Sequence, residues 1–134
     1  MGEYTRIAEG DVELKERRGG GPASRDIGGA LEAEGVALRR WVFGPGHQMA
    51  YHRHRVQEEI YHLVSGGPQE VFIDGTVVTV YDGDWLRLPT ETPRRIQNTT
   101  DRDAVWLTLG APRGEGITDG IRLDPDTGEE IPRA

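Results

Sequence analysis

The chain has 134 residues, a formal net charge of −7 and no cysteine. This length predicts one domain, and the lack of cysteine excludes disulfides, thiolate-bound zinc and thiol nucleophiles. The acidic balance argues against a nucleic-acid partner, and no apolar run approaches the ~20 residues that cross a bilayer, which argues against a membrane partner. The first residues lack the basic start and apolar stretch of a signal peptide, so we expect a cytoplasmic location.

The first thirty residues carry few clear structural signals. The charged segment at 13–18 is compatible with a strand or with a short helical turn. The run Gly19-Gly20-Gly21-Pro22 that follows it ends any regular element.

From residue 36 the strand signals recur about every ten residues, with turn residues between them. Asp74-Gly75 between two β-branched runs is a typical two-residue hairpin turn. This spacing predicts an antiparallel sandwich or barrel. The tail at 113–134 is polar, with a turn at 124–128, and either adds an edge strand or stays mobile. Strands are predicted at 36–43, in two pieces of 50–64 around a polar break at 55–58, and at 70–73, 76–81, 85–88 and 104–109.

All four histidines lie between His47 and His62. His52 and His54 are two residues apart, and in a strand that spacing places both rings on one face. With the nearby Glu59 they form a two-histidine, one-carboxylate set, which leaves open positions on a divalent metal ion. The alternative is a pair of surface histidines on an exposed strand.

The spacing around these residues resembles the first motif of the cupin superfamily, and a second stretch resembles the second cupin motif. The resemblance extends over about residues 34–111. The first motif is matched by Gly46, five residues, His52-x-His54, four residues, Glu59, six residues and Gly66; the second by Gly83, five residues, Pro89, and later Asn98.

The resemblance implies an all-β fold, a double-stranded β-helix or jelly-roll barrel. It implies a single domain over 1–134, with a barrel core at about 34–111, an N-terminal segment at 1–33 and a polar tail at 112–134. It also implies that His52, His54 and Glu59 bind one divalent transition metal ion, which is Fe, Mn, Ni, Cu or Zn.

The second motif departs from the family pattern in two places. Glu91 stands where the motif has glycine, and Arg94 stands where it supplies a further histidine ligand. Arginine has no lone pair to offer a metal. Arg94 therefore either binds an anionic group of the substrate beside the open metal positions or forms an ion pair with Glu59 or Glu58.

Three further side chains are candidates for the site. Tyr61 shares the predicted face of Glu59, so its phenol is placed to hydrogen-bond a substrate oxygen or a metal-bound water, or to be an ordinary buried tyrosine. His47 is a candidate fourth ligand or proton shuttle, with a solvated loop histidine as the alternative. Alternation along the strand points His62 away from the metal. No further catalytic residue is predicted.

These features predict a metal-dependent enzyme that acts on a small oxygenated or anionic molecule. A dioxygenase-like oxidoreductase is favoured because the donor set suits Fe(II). The alternatives are a non-catalytic binding or sensing domain, and an isomerase-type or metal-free acid/base enzyme. We also expect a homodimer, since pairing hides exposed strand edges.

Overall fold

The computed structural model describes residues 3–17, 19–113 and 119–132. Within these ranges the chain forms eleven strands, a 3-10 turn at Glu9–Asp11 and one short helix, α1 (Ile27–Ala30). The strands are β1 (Leu14–Lys15), β2 (Ala23–Asp26), β3 (Ala37–Phe43), β4 (His52–His54), β5 (Glu58–Ser65), β6 (Gln69–Ile73), β7 (Thr76–Val80), β8 (Trp85–Leu88), β9 (Arg94–Gln97), β10 (Ala104–Ala111) and β11 (Gly120–Arg122).

The strands form two antiparallel sheets. The larger sheet has the order β1-β2-β3-β10-β5-β8 and the smaller one has the order β11-β4-β9-β6-β7. Neighbours that are distant in sequence are typical of a jelly roll, and the predicted all-β class is confirmed. Side chains of both sheets share one core, which contains Phe43, Tyr61, Leu63, Val71, Val80, Leu88, Ile96, Ala104 and Trp106.

The strands predicted between residues 36 and 109 are present, because their alternating apolar positions face this core. The predicted hairpin joins β6 to β7. Asp74 and Gly75 have φ values of 47° and 82°, the left-handed conformation that a tight hairpin turn requires and that glycine adopts without strain.

The two ends of the chain hold the elements that the sequence patterns left open. Of the two alternatives for 13–18, the structure has a strand, β1, which pairs with β2. The tail adds β11 at the edge of the smaller sheet, beside β4. The turn predicted at 124–128 is present, since the amide of Gly128 donates to the carbonyl of Asp124 at 2.7 Å.

Strands β2 and β9 and helix α1 were not predicted. Each is only four residues long, too short to show a period. The carboxylate of Asp26 starts α1 by accepting a hydrogen bond from the amide of Gly29 at 2.9 Å. Among the described residues no helix has the length and apolar character needed to cross a membrane.

Candidate metal centre

The predicted metal ligands meet at the inner surface of the jelly roll. His52 and His54 begin and end β4, so the alternation of the strand places both rings on the inner side. Their ring centroids are 5.1 Å apart. Glu59 reaches the same point from β5, and one ligand atom of each residue lies within 4.8 Å of the others.

Each histidine has its Nδ1 held by a hydrogen-bond acceptor. Nδ1 of His52 lies 2.8 Å from the carbonyl oxygen of Ala50, and Nδ1 of His54 lies 2.9 Å from Oδ2 of Asp119. Since a carbonyl and a carboxylate only accept, each Nδ1 must carry the proton and donate it. In the neutral ring the lone pair is then on Nε2, on the side that faces Glu59.

The carboxylate of Glu59 is the centre of the cluster. Its Oε1 lies 3.0 Å from Nε2 of His54 and 3.8 Å from Nε2 of His52. The same oxygen accepts hydrogen bonds from Nη2 of Arg94 at 2.8 Å and from the hydroxyl of Tyr61 at 3.0 Å. Burial alone raises the pKa of Glu59, but the two imidazoles and the guanidinium outweigh it and hold the pKa well below its usual range. Glu59 therefore stays ionised.

Arg94 is the ion-pair partner of Glu59. It opens β9 directly opposite His52, and its side chain has no solvent exposure. Besides the contact to Glu59, its Nη1 donates to three backbone carbonyls at 2.7–3.3 Å, those of Pro89, Thr90 and Thr92.

Of the two alternatives for Arg94, the geometry thus matches the ion pair. A guanidinium held on one side by carbonyls and on the other by Glu59 does not face the cavity, so the substrate-binding role expected for Arg94 does not fit its position. The partner is Glu59 and not Glu58, since Glu58 accepts from Arg87 at 2.6 Å at the protein surface.

Tyr61 lies beside Glu59, as the shared strand face predicted. Besides its hydrogen bond to Glu59, its hydroxyl is 3.8 Å from the sulfur of Met49. Burial, followed by the charge of Glu59, raises the pKa of Tyr61 above that of a free phenol. The hydroxyl stays protonated, and its proton is directed at the carboxylate.

The other two histidines lie outside the cluster. His62 points away from it, as expected, and stacks on Trp85 with ring centroids 3.6 Å apart. The expected role of His47 as a ligand or proton shuttle is not met. Its Nδ1 accepts from the amide of Gly44 at 2.8 Å, which fixes the ring in the loop after β3, and it is not among the side chains that line the cavity over Glu59.

Asp119 is a site residue that the sequence patterns did not indicate. It precedes β11, whose pairing places Gly120 opposite His54. Its carboxylate accepts from Nδ1 of His54 and from the amides of Val56 and Gln57, at 2.9–3.0 Å. Burial raises its pKa, but the donors outweigh this and lower it. The only signal in the sequence was a polar tail long enough to reach the site.

A cavity of about 500 Å³ lies over the cluster. Small-molecule sites in proteins span roughly 300–1,000 Å³, so the volume suits a small ligand. Its floor is formed by the three predicted ligands and Tyr61. Gly110 in its wall makes room for the side chain of Gln57, since a Cβ there would lie 2.3 Å from it.

The donor set fits a divalent transition metal ion. Nε2 of His54 is buried and has no hydrogen-bond partner among the described residues, although it lies 3.0 Å from a carboxylate oxygen. At these distances a cation must lie between the two imidazole nitrogens and the carboxylate, and it is either a proton on the imidazole in the metal-free protein or a metal ion. Metal-binding histidines typically donate the proton of their other ring nitrogen to an acceptor, and here the carbonyl of Ala50 and the carboxylate of Asp119 accept it.

The comparison with protein families agrees with this arrangement. The family model for the cupin domain matches residues 39–110. The chain belongs to the cupin family. No curated protein is detectably similar to the sequence.

Cupins of known structure share its fold at low sequence identity. A sugar phosphate isomerase of the cupin superfamily from Silicibacter pomeroyi is 16% identical with a TM-score of 0.76, covering 95% of this chain and 92% of that one. KdgF from Halomonas is 17% identical with a TM-score of 0.71 (86% and 97% covered). A predicted oxalate decarboxylase from Thermotoga maritima is 19% identical with a TM-score of 0.68 (81% and 99% covered).

Proposed function

We propose that this cupin is a metal-dependent enzyme that acts on a small oxygenated or anionic molecule. The observation that supports it most is the convergence of His52, His54 and Glu59 at the floor of a cavity. The two histidine tautomers are fixed for ligation by Ala50 and Asp119.

Two histidines and a carboxylate are the donor set of non-haem Fe(II) oxygenases. A bound ion of this kind supplies Lewis-acid or redox chemistry at the positions that the protein leaves open. We therefore favour a dioxygenase-like reaction. Isomerisation is the alternative within the same proposal, and the names of similar structures include a sugar phosphate isomerase.

The protein's own side chains have defined tasks in this proposal. Arg94 and Tyr61 both donate to Oε1 of Glu59, which keeps the carboxylate ionised and fixes its orientation. Asp119 and the carbonyl of Ala50 orient the two imidazoles. The cavity surrounds the substrate and limits the access of water to it.

A second candidate function is a metal-free binding domain. The ion pair between Arg94 and Glu59 favours it, because the guanidinium already neutralises the carboxylate that a metal would use. Such a domain would bind its ligand in the same cavity without turnover.

Metal content separates these candidates. Protein purified without chelator, and again after loading with Fe, Mn, Ni, Cu or Zn, is analysed by mass spectrometry for metals. We expect about one equivalent per chain in the parent protein, little in His52→Ala and His54→Ala, and the parent value in the matched control His62→Ala. Oxygen uptake with a panel of small hydroxy acids then tests the dioxygenase-like reaction. A protein that stays metal-free after loading would refute the metalloenzyme proposal.

A further inference from the structure

We propose that Arg39, assisted by Lys15 and Arg17, forms an anion-binding subsite at the wall of the cavity. It would hold a carboxylate or phosphate group at the end of the substrate away from the metal-binding cluster. The link to catalysis rests on the proposed function; the binding of the anion does not.

The register of the larger sheet places Arg39 two strands away from Tyr61, which lies beside the cluster. Arg39 pairs with Thr108 of β10, and Thr108 pairs with Tyr61 of β5. Adjacent strands lie about 4.8 Å apart, so about 10 Å separates the backbones of Arg39 and Tyr61. Both side chains line the same cavity. A molecule of a few carbon atoms with polar groups at both ends fits this span.

Most of the hydrogen-bonding capacity of Arg39 is unused. Its Nη1 donates to the hydroxyl of Ser24 at 3.2 Å, and its Nη2 forms an ion pair with Oδ2 of Asp26 at 3.8 Å, which is longer than a hydrogen bond. A guanidinium has five N–H donors. Asp26 and Ser24 thus orient the side chain and leave it free donors for a carboxylate or phosphate.

Two further cations lie at the same wall. Lys15, which ends β1, and the adjoining Arg17 line the cavity, and within the described ranges neither forms an ion pair. The carboxylates among the lining residues are Glu16 and Glu59, and Arg94 neutralises Glu59. With Asp26, the partner of Arg39, included, Lys15, Arg17 and Arg39 still outnumber the two carboxylates that Arg94 does not neutralise. The cavity wall is therefore locally cationic on a protein whose net charge is −7, and a region of that kind attracts small anions.

The position of Arg94 strengthens this assignment. The sequence offered Arg94 as the residue that binds an anionic group, but its guanidinium is buried and faces Glu59. Arg39 lines the open cavity instead, and its side chain is 37% exposed. It is therefore accessible to a ligand that enters.

The test uses metal-free protein, so that it is independent of the metal site. Inorganic phosphate and malonate are titrated by calorimetry at constant ionic strength into the parent protein, Arg39→Met and Arg40→Met. Arg40 is the matched control, because it is adjacent on β3, points to the opposite face and pairs with Glu9 at 3.1 Å. We expect Arg39→Met to weaken binding at least about tenfold and Arg40→Met to change it less than about twofold.

The two probes distinguish the anionic groups. Tighter binding of phosphate would assign a phosphate ester, and tighter binding of malonate a carboxylate. Equal losses in both arginine variants would show a general charge effect and overturn the subsite, as would no binding of either probe at tens of millimolar. If Arg39→Met does not fold, Arg39→Lys and Lys15→Met take its place, with partial losses expected from both.

The result is distinguishable from the outcome for the proposed function. Anion binding that depends on Arg39, in a protein that takes up no metal, would support the subsite and refute the metalloenzyme. If His52 and His54 bind a metal but Arg39→Met leaves the affinity for both probes unchanged, the metalloenzyme proposal is supported and the anion subsite is refuted.

Discussion

The two sides of the Glu59 carboxylate differ in what they present to it. From β4, His52 and His54 direct their Nε2 atoms at it, and each ring is fixed by an acceptor at its Nδ1. From β9, Arg94 presents a permanent cation, fixed by three carbonyls. One side is arranged to share the carboxylate with a metal ion and the other already neutralises it. We therefore infer that Arg94 stabilises the metal-free site and would compete with a metal ion for Oε1.

The largest loss in the free energy of unfolding is expected from removing the charge of Arg94. Arg94→Met leaves Glu59 ionised and partly buried without its counter-charge, and breaking a buried pair in this way costs about 3–5 kcal/mol. The metal-free protein should lose about that much free energy of unfolding. Affinity for a divalent metal should rise, because the ion no longer competes with the guanidinium. Urea unfolding and metal titration measure the two changes.

Two variants control that experiment. Arg95→Met, which alters the neighbouring arginine that lies 5.4 Å over the ring of Phe72, should leave metal affinity unchanged. Arg94→Met combined with Glu59→Gln removes both charges and should recover much of the lost stability. If Arg94→Met instead weakens metal binding, Arg94 orients the carboxylate for the ion and does not compete with it.

The next largest effect, a loss of metal affinity, is expected from altering Asp119, which fixes the ring of His54. Asp119→Asn removes the negative charge that fixes the Nδ1 proton of His54. Loss of such a partner typically weakens metal binding by about 10–100-fold, which calorimetry would measure. Nitrogen NMR of the imidazole would show a shift toward the other tautomer. Asp101→Asn is the matched control, since the side chain of Asp101 is fully exposed. An unchanged affinity in Asp119→Asn would contradict its positioning role.

Asp119 also marks the limit of what the sequence could predict. The spacing of His52, His54 and Glu59 places them together through strand alternation and one short turn, which are local properties. Asp119 lies 65 residues after His54 and approaches it only because β11 pairs with β4. Such a contact depends on tertiary pairing, and no pattern in a polar tail specifies it.

The alternatives that stayed open at Arg94 and His47 have a similar cause. The position of Arg94 inside the fold was predictable from its place in the second motif. The partner of its guanidinium was not predictable, because Glu59 and an anionic substrate group would both attract it and the sequence does not distinguish between them. His47 was near enough in sequence to reach the metal, but the turn at 44–47 directs its Nδ1 to the amide of Gly44.

A smaller effect is expected at the hydroxyl of Tyr61. Tyr61→Phe keeps the packing and removes one hydrogen bond to Glu59, while Arg94 still donates to the same oxygen. We expect a loss of about 1 kcal/mol in the free energy of unfolding, together with a modest change in metal affinity. Tyr81→Phe, at an exposed position, should have no measurable effect. A loss several times larger would mean that Tyr61, and not Arg94, is the main support of the carboxylate.

The smallest effect is a dependence on pH of the stabilisation that Asp119 contributes. It concerns only the histidine side of Glu59 and so separates that side from Arg94. The folded-state pKa of Asp119 is lowered, so its stabilising contribution is fully present above the unfolded pKa of about 4 and is lost as the pH falls below it. The difference in free energy of unfolding between the parent protein and Asp119→Asn should be constant from pH 7 to 5 and shrink toward pH 3. Urea unfolding across this range measures it. A difference that persists at pH 3 would show that Asp119 acts through its shape and backbone contacts, so that His54 keeps its orientation without the charge behind it.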